Sequence, residues 1–290
     1  MSALRLDAPA KLNLSLRVVA RRQDGLHQLD GVMVLLELAD QLLLLPGASG
    51  LRVDASGDSE IPVDGTNLAW RGLVAAAGNV PDLPCLTLAK RIPSAAGLGG
   101  GSSDAAAAWR LGRRWRTGTD GVEPNDLVTL SAVGADVPFF AAAVAAARVR
   151  GIGEQVDPIR PAEQAMHAIL VHPPVRLSTA AVFAELRPSE WSGVDPSEDP
   201  GPAEPGPNDL LAPARRLQPD IDDLFRLVLS AGGVPHLTGS GPTVYTLTDD
   251  PERAAAVAGR LRRAGLRVTE TRLRREPASI ETVSEEEQDG

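Results

Sequence analysis

The stretch Pro93-Ser94-Ala95-Ala96-Gly97-Leu98-Gly99-Gly100-Gly101-Ser102-Ser103-Asp104 decides how this chain is read. It directly follows a strand expected over Cys85-Leu86-Thr87-Leu88-Ala89-Lys90 and opens a helix expected from Ser102 to Arg116. Strand, glycines and helix together make an anion site. Glycines let the backbone come close and take positive φ. Successive N–H groups then converge on one spot, and the helix N-terminus adds unpaired donors and partial positive charge. Ser102 or Ser103 offers a hydroxyl to a phosphate or a metal ion. Taken alone, the pattern is equally a plain helix start after a loop. Two other phosphate loops are excluded: no lysine follows the last glycine, as a P-loop requires, and Ser102 stands where a dinucleotide fingerprint needs its third glycine.

Outward from this loop, strands and helices alternate in both directions. Leu4 to Val19 reads as two strands broken at Ala8-Pro9-Ala10, and Val32 to Leu45 as two strands around a turn at Ala39-Asp40. Asn67 to Ala77 and Pro124 to Val133 read as helices, with a break at Gly134-Ala135-Asp136-Val137-Pro138. Strands are expected at Ala168–His172, Thr243–Leu247 and Leu266–Leu273, and helices at Asp220–Leu229 and Pro251–Ala264. Pro188 to Pro213, rich in Pro, Asp, Glu and Gly, reads as a long surface loop. The mixture argues for α+β or α/β architecture, with a boundary near Asp157-Pro158.

The chain has 290 residues, 43% apolar and 23% charged, with a formal net charge of −9. Such a balance suits a soluble globular protein and argues against nucleic acid or an anionic membrane as the main partner. Cys85 is the only cysteine, which excludes an internal disulfide and fits a reducing compartment. No signal segment and no apolar run of about 18 residues is seen, so a cytoplasmic protein is expected. Residues 277–290 are read as a disordered acidic tail. Of 29 Lys and Arg residues, only Lys11 and Lys90 are lysines. Arg is a planar fork and Lys a compact point charge, so both positions invite a functional reading beside that of drift.

The loop pattern resembles the ATP loop of the galactokinase, homoserine kinase, mevalonate kinase and phosphomevalonate kinase superfamily. Pro9-Ala10-Lys11-Leu12-Asn13-Leu14, Asp24-Gly25-Leu26-His27 and Gly134-Ala135-Asp136-Val137-Pro138-Phe139-Phe140 resemble one family within it, the 4-diphosphocytidyl-2-C-methyl-D-erythritol kinases of the non-mevalonate isoprenoid pathway. Gly151-Ile152-Gly153-Glu154, Asn208-Asp209-Leu210 and Leu237-Thr238-Gly239-Ser240-Gly241-Pro242-Thr243 extend the resemblance over roughly residues 5 to 275.

The resemblance implies an α+β, two-domain small-molecule kinase fold with its active site in the interdomain cleft. The ATP-binding domain would span 1–157 and a ferredoxin-like α+β domain 158–276. It implies transfer of the ATP γ-phosphoryl group to the 2-hydroxyl of the cytidine-diphosphate-linked methylerythritol. Lys11 and Asp136 match the catalytic pair. Pro93, Ser94, Ala95, Ala96, Gly97, Leu98, Gly99, Gly100, Gly101, Ser102 and Ser103, with Asn67 and Lys90, match the ATP side. Asn13, His27, Leu26, Thr179 and Phe183 match the substrate side. Mg²⁺ is expected from the chemistry, with Ser103 as its candidate contact, and no protein partner is inferred. On residue type alone, Lys11 is a surface lysine, Asp136 a turn former, His27 a loop histidine, Phe183 core and Asn67 a helix cap. Leu26 departs from the family, which has tyrosine there; an aromatic stack on a base is worth roughly 1–3 kcal/mol. Another small-alcohol kinase of the superfamily, for mevalonate or homoserine, is the alternative within the fold. A nucleotide-binding regulator without turnover needs neither Lys11 nor Asp136.

Overall fold

A computed structural model describes residues 2–55, 61–78, 82–193, 201 and 204–283. Strand β1 (Ala3–Arg21) and strand β2 (His27–Leu45) form a long antiparallel hairpin. The two breaks expected from Ala8-Pro9-Ala10 and Ala39-Asp40 do not interrupt it. Register shifts between Pro9 and Lys11 instead, and again between Asn13 and Ser15. Pro9 is tolerated beside such an irregularity because it has no N–H to give the ladder.

β3 (Leu51–Asp54), α1 (Leu68–Ala77), β4 (Cys85–Ala89), α2 (Gly100–Thr117), α3 (Pro124–Ser131), α4 (Val137–Ala141), β5 (Ala146–Gly151) and β6 (Gln155–Pro158) complete the first half. The second contains β7 (His167–His172), α5 (Thr179–Glu185), α6 (Leu211–Leu217), α7 (Asp220–Ser230), β8 (His236–Leu237), β9 (Val244–Thr248), α8 (Pro251–Arg263) and β10 (Arg267–Arg272), after which comes β11 (Glu281–Val283). The first sheet runs β11-β1-β2-β4-β3, with β5 and β6 continuing from β2. All its pairs are antiparallel except β3 with β4. The second sheet runs β10-β7-β9-β8 and is antiparallel throughout.

β1 is buried on both faces from Ala8 to Leu16. Its even-numbered residues Ala10, Leu12 and Leu14 share a core with Leu170 and Tyr245 of the second sheet. Its odd-numbered residues point to the opposite face because side chains alternate along a strand. A strand enclosed on both sides reads as a continuous apolar run, which is why a polar residue within it stands out.

Three expectations are corrected. The tail expected from residue 277 is ordered at its start: β11 pairs with β1 from Ala3 to Arg5, and Ala278 is buried where its carbonyl accepts from Arg110. The rest, 284–290, lies outside the described residues. The loop expected from Pro188 to Pro213 ends in α6 from Leu211, and 194–200, 202 and 203 lie outside the described residues. The break around Asp136 is the start of α4, where Pro138 occupies the first turn and its missing N–H costs no hydrogen bond. Among the described residues, no helix is long and apolar enough to cross a membrane.

Candidate active site

The glycine loop turns tightly at Gly97 (φ +75°) and Gly99 (φ +71°). A Cβ at Gly97 would lie 2.5 Å from the Thr238 carbonyl oxygen, and one at Gly99 would lie 2.9 Å from the Phe140 ring. Backbone sign and close approach together require glycine at both places. Gly99 is the N-cap of α2, so the N–H groups of Gly100, Gly101 and Ser102 have no partner within the helix. They open on a cavity of about 590 Å³ between the two halves of the chain. The loop from Pro93 to Ser102 lines it, with Lys11, Asn13, Asn67, Lys90 and Asp136 from the first half and Thr179 and Phe183 from the second.

Lys11 is 3% exposed, and its Nζ lies 3.7 Å from Asp136 Oδ2. It also donates a short hydrogen bond to Asn13 Oδ1. The backbone N–H of Lys11 donates to the Leu98 carbonyl at 3.0 Å, which stitches β1 to the glycine loop. Burial pushes the Lys11 ammonium below its ordinary range, and Asp136 opposes that push. Asp136 begins α4, yet its carboxylate makes no cap hydrogen bond and faces Lys11 instead.

Lys90 bridges two carboxylates, Asp40 of β2 and Asp104 of α2. Asp40 accepts in addition from the N–H groups of Arg91 and Ile92, so it anchors the chain where it enters the loop. Burial pushes the Asp104 carboxyl up to about 8, against the pull of Lys90. Burial acts downward on Lys90, but Asp104 and Asp40 together overcome it and hold the ammonium above its ordinary value. Asn67 performs the cap suggested by its residue type, accepting from Ala69 N–H at 2.9 Å, and also lines the cavity.

On the wall of the cavity contributed by the second half, the Thr179 and Ser240 hydroxyls are 2.9 Å apart. Phe183 lines the cavity, and His27 stacks on it with ring centroids 5.2 Å apart and planes at 23°. The Trp191 ring meets His27 edge-on at 5.9 Å. His27 and Leu26 do not line the cavity, and Leu26 is 49% exposed. Burial, followed by the charge of Arg21, holds the His27 imidazole below its ordinary value.

Ser103, expected on the ATP side and as a metal contact, does not face this cavity. Its buried hydroxyl borders a separate space of about 10 Å³ behind α2 and has no hydrogen-bond partner among the described residues. Ser102 faces the cavity instead, its Oγ near Gly134, two residues before Asp136. One residue along a helix is a turn of about 100°, so adjacent serines face different surroundings. Among the described residues, no group of three or more His, Cys, Asp or Glu can hold a metal ion. The Ser102 hydroxyl, which faces the cavity, is a hard oxygen donor of the kind that fits Mg²⁺, an ion that keeps much of its water shell.

Comparison with known proteins places the chain in a family. Residues 67–151 match the model described as GHMP kinases N terminal domain, and residues 203–266 that of GHMP kinases C terminal. A 4-diphosphocytidyl-2-C-methyl-D-erythritol kinase of Methylorubrum extorquens (strain PA1) is 36% identical over 94% of this chain and 100% of its own length. The chain belongs to the 4-diphosphocytidyl-2-C-methyl-D-erythritol kinases. A crystal structure of a 4-(cytidine 5'-diphospho)-2C-methyl-D-erythritol kinase superposes with a TM-score of 0.74 at 33% identity, covering 93% of this chain and 98% of that one. A homoserine kinase from Cytophaga hutchinsonii shares the fold alone, with a TM-score of 0.66 at 17% identity over 97% of this chain and 98% of that one.

Several residues around the cavity are not singled out by the sequence. Asp40 carries a turn-forming side chain, and only the fold shows that it is fully buried under Lys90. Leu29, Gly31 and Met33 of β2 line the cavity opposite β1; their alternation along a strand was the available signal. Trp191 lies in the segment read as a surface loop.

Proposed function

We propose that the protein transfers the γ-phosphoryl group of ATP to the 2-hydroxyl of 4-diphosphocytidyl-2-C-methyl-D-erythritol, giving ADP and the 2-phosphate. The observation that carries this reading is the approach of Lys11 Nζ to Asp136 Oδ2, 3.7 Å, in a cavity lined by the N-terminus of α2. Phosphoryl transfer demands mainly positioning and stabilisation of charge. The loop N–H groups and the helix dipole hold the phosphates. The acceptor oxygen forms the new bond to phosphorus as the bond to the ADP oxygen breaks, and its proton passes to Asp136. Lys11 sets positive charge beside that carboxylate and the moving phosphoryl group.

Mg²⁺, held by the phosphates with the Ser102 hydroxyl as a protein donor, would supply further positive charge against the phosphoryl oxygens. On the acceptor side, Phe183 offers an aromatic face for the cytosine, and Thr179 and Asn13 offer polar contacts to the rest of the molecule. With Leu26 in place of tyrosine, stacking on the base falls to Phe183, supported from behind by His27. Residues 1–157 and 158–276 are read as the two domains whose facing surfaces make the site.

An ADP-release assay with the cytidyl acceptor, mevalonate and homoserine side by side tests the reading. Turnover is expected with the first alone. Turnover confined to mevalonate or homoserine overturns it.

A further inference from the structure

Asn13 is gripped from the second half of the chain through both of its backbone polar groups. Its N–H donates to Thr238 Oγ1 at 3.1 Å, and its carbonyl accepts from the Tyr245 hydroxyl at 3.0 Å. Asn13 sits where the β1–β2 register shifts, so one residue of β1 has no counterpart on β2. Thr238 and Tyr245 are both fully buried, and Tyr245 is the only tyrosine in the chain.

Satisfying buried backbone groups is by itself an ordinary structural task. Two further contacts give this pair a more specific one. The Thr238 hydroxyl, having accepted from Asn13, donates onward to the Gly97 carbonyl at 3.3 Å. One oxygen therefore ties β1 to the glycine loop. The next residue, Gly239, is so close that a Cβ there would lie 3.1 Å from Lys11 Nζ and 3.4 Å from Asn13 Oδ1. Asn13 Oδ1 is in turn the acceptor for Lys11 Nζ.

We propose that Thr238 and Tyr245 are positioning residues for phosphoryl transfer: they clamp Asn13, and through its side chain they fix where the Lys11 ammonium points relative to the glycine loop. The inference rests on the reading that Lys11 acts in transfer. Misplacing a reacting group by about 1 Å costs on the order of a hundredfold in rate, so a clamp of two hydroxyls has a measurable effect.

The test compares wild type with Thr238→Val, Thr238→Ser and Tyr245→Phe. It measures kcat, KM for ATP, cooperative thermal unfolding and hydrogen exchange at the Asn13 amide. Thr238→Val is expected to lower kcat roughly tenfold to a hundredfold while remaining folded, and Thr238→Ser to restore most of it. Tyr245→Phe should lower kcat with little change in KM for ATP, because it leaves the bond to Gly97 intact. The Asn13 amide should exchange faster in Thr238→Val. A Thr238→Val enzyme with kcat within about twofold of wild type overturns the proposal, as do equal losses in the Val and Ser variants. Should Thr238→Val fail to fold, Tyr245→Phe decides, and unchanged kcat there overturns it. If wild type turns over no cytidyl acceptor, the functional reading fails separately. The clamp is then judged by exchange alone, and undiminished Asn13 protection in Thr238→Val rejects it.

Discussion

Lys11 holds an ammonium almost wholly out of water, 3.7 Å from a carboxylate that keeps 30% of its side-chain surface exposed. Burying an ion without a partner costs several kcal/mol, and attraction to a nearby opposite charge offsets part of that. The arrangement is asymmetric: the cation is held by Asn13 and Asp136, while the carboxylate remains partly open to the cavity. Replacing Asp136 by Ala removes the proposed proton acceptor but no group of the glycine loop. Steady-state kinetics should show kcat falling by roughly 10²–10⁴-fold, with nucleotide affinity by direct titration close to wild type. Near-normal turnover in that variant excludes the proposed mechanism.

At the scale of elements, the start of α2 and the end of β4 are joined by Lys90 between Asp40 and Asp104. Lys90 was conspicuous as one of two lysines, and its surroundings explain why a compact cation suits the position. A Cβ on Gly100 would lie 3.3 Å from its Nζ and 3.0 Å from Ile92, which leaves little space for a planar guanidinium. Lys90→Met leaves the Asp40 and Asp104 carboxyl groups buried side by side with no cation between them. Urea unfolding should show a loss of roughly 3–5 kcal/mol at neutral pH; a loss below about 1 kcal/mol, the scale of an exposed pair, would show that the bridge holds nothing. Asp40 was read as a turn former because aspartate in a turn and aspartate under a buried lysine are the same letter. The helices were more legible: α2 is rich in alanine, and α8 has Asp250 accepting from the N–H groups of Glu252 and Arg253 with Pro251 in its first turn.

For the molecule as a whole, the two sheets share a core, with Leu12 and Leu14 of β1 against Leu170 and Tyr245. The second sheet also carries a buried histidine. His172 contacts the hydroxyls of Thr243 at 3.1 Å and Thr269 at 3.0 Å, linking the end of β7 to β10 and to the residue just before β9. Burial, then Arg267, lowers its pKa from 6.5 to about 4. The unfolded chain therefore takes up this proton near pH 6.5 and the folded chain only near 4. The stability from keeping it neutral is complete above 6.5 and is lost as pH falls toward 4, by roughly 3 kcal/mol in all. Unfolding free energy measured between pH 7 and 4 should show that decline, and His172→Gln should flatten it. An unchanged slope in the variant would assign the decline to other groups.

The amino-acid sequence by itself made legible the glycine loop between a strand and a helix and the class of fold, and its motifs, by their resemblance to a kinase family, implied that Lys11 and Asp136 act together. Those are properties of local spacing and of motif identity, which survive without coordinates. Only the tertiary structure decided that Ser102 rather than Ser103 faces the cavity, that His27 backs Phe183 with Trp191 beside it, and that Asp40 is buried. It also brought Thr238 and Tyr245 to Asn13 across 225 and 232 positions of sequence. The physical reason is the same in each case. Periodicity reports which face of an element a residue occupies, but hydrogen bonds between distant elements depend on how closely those faces approach, and that is set by packing.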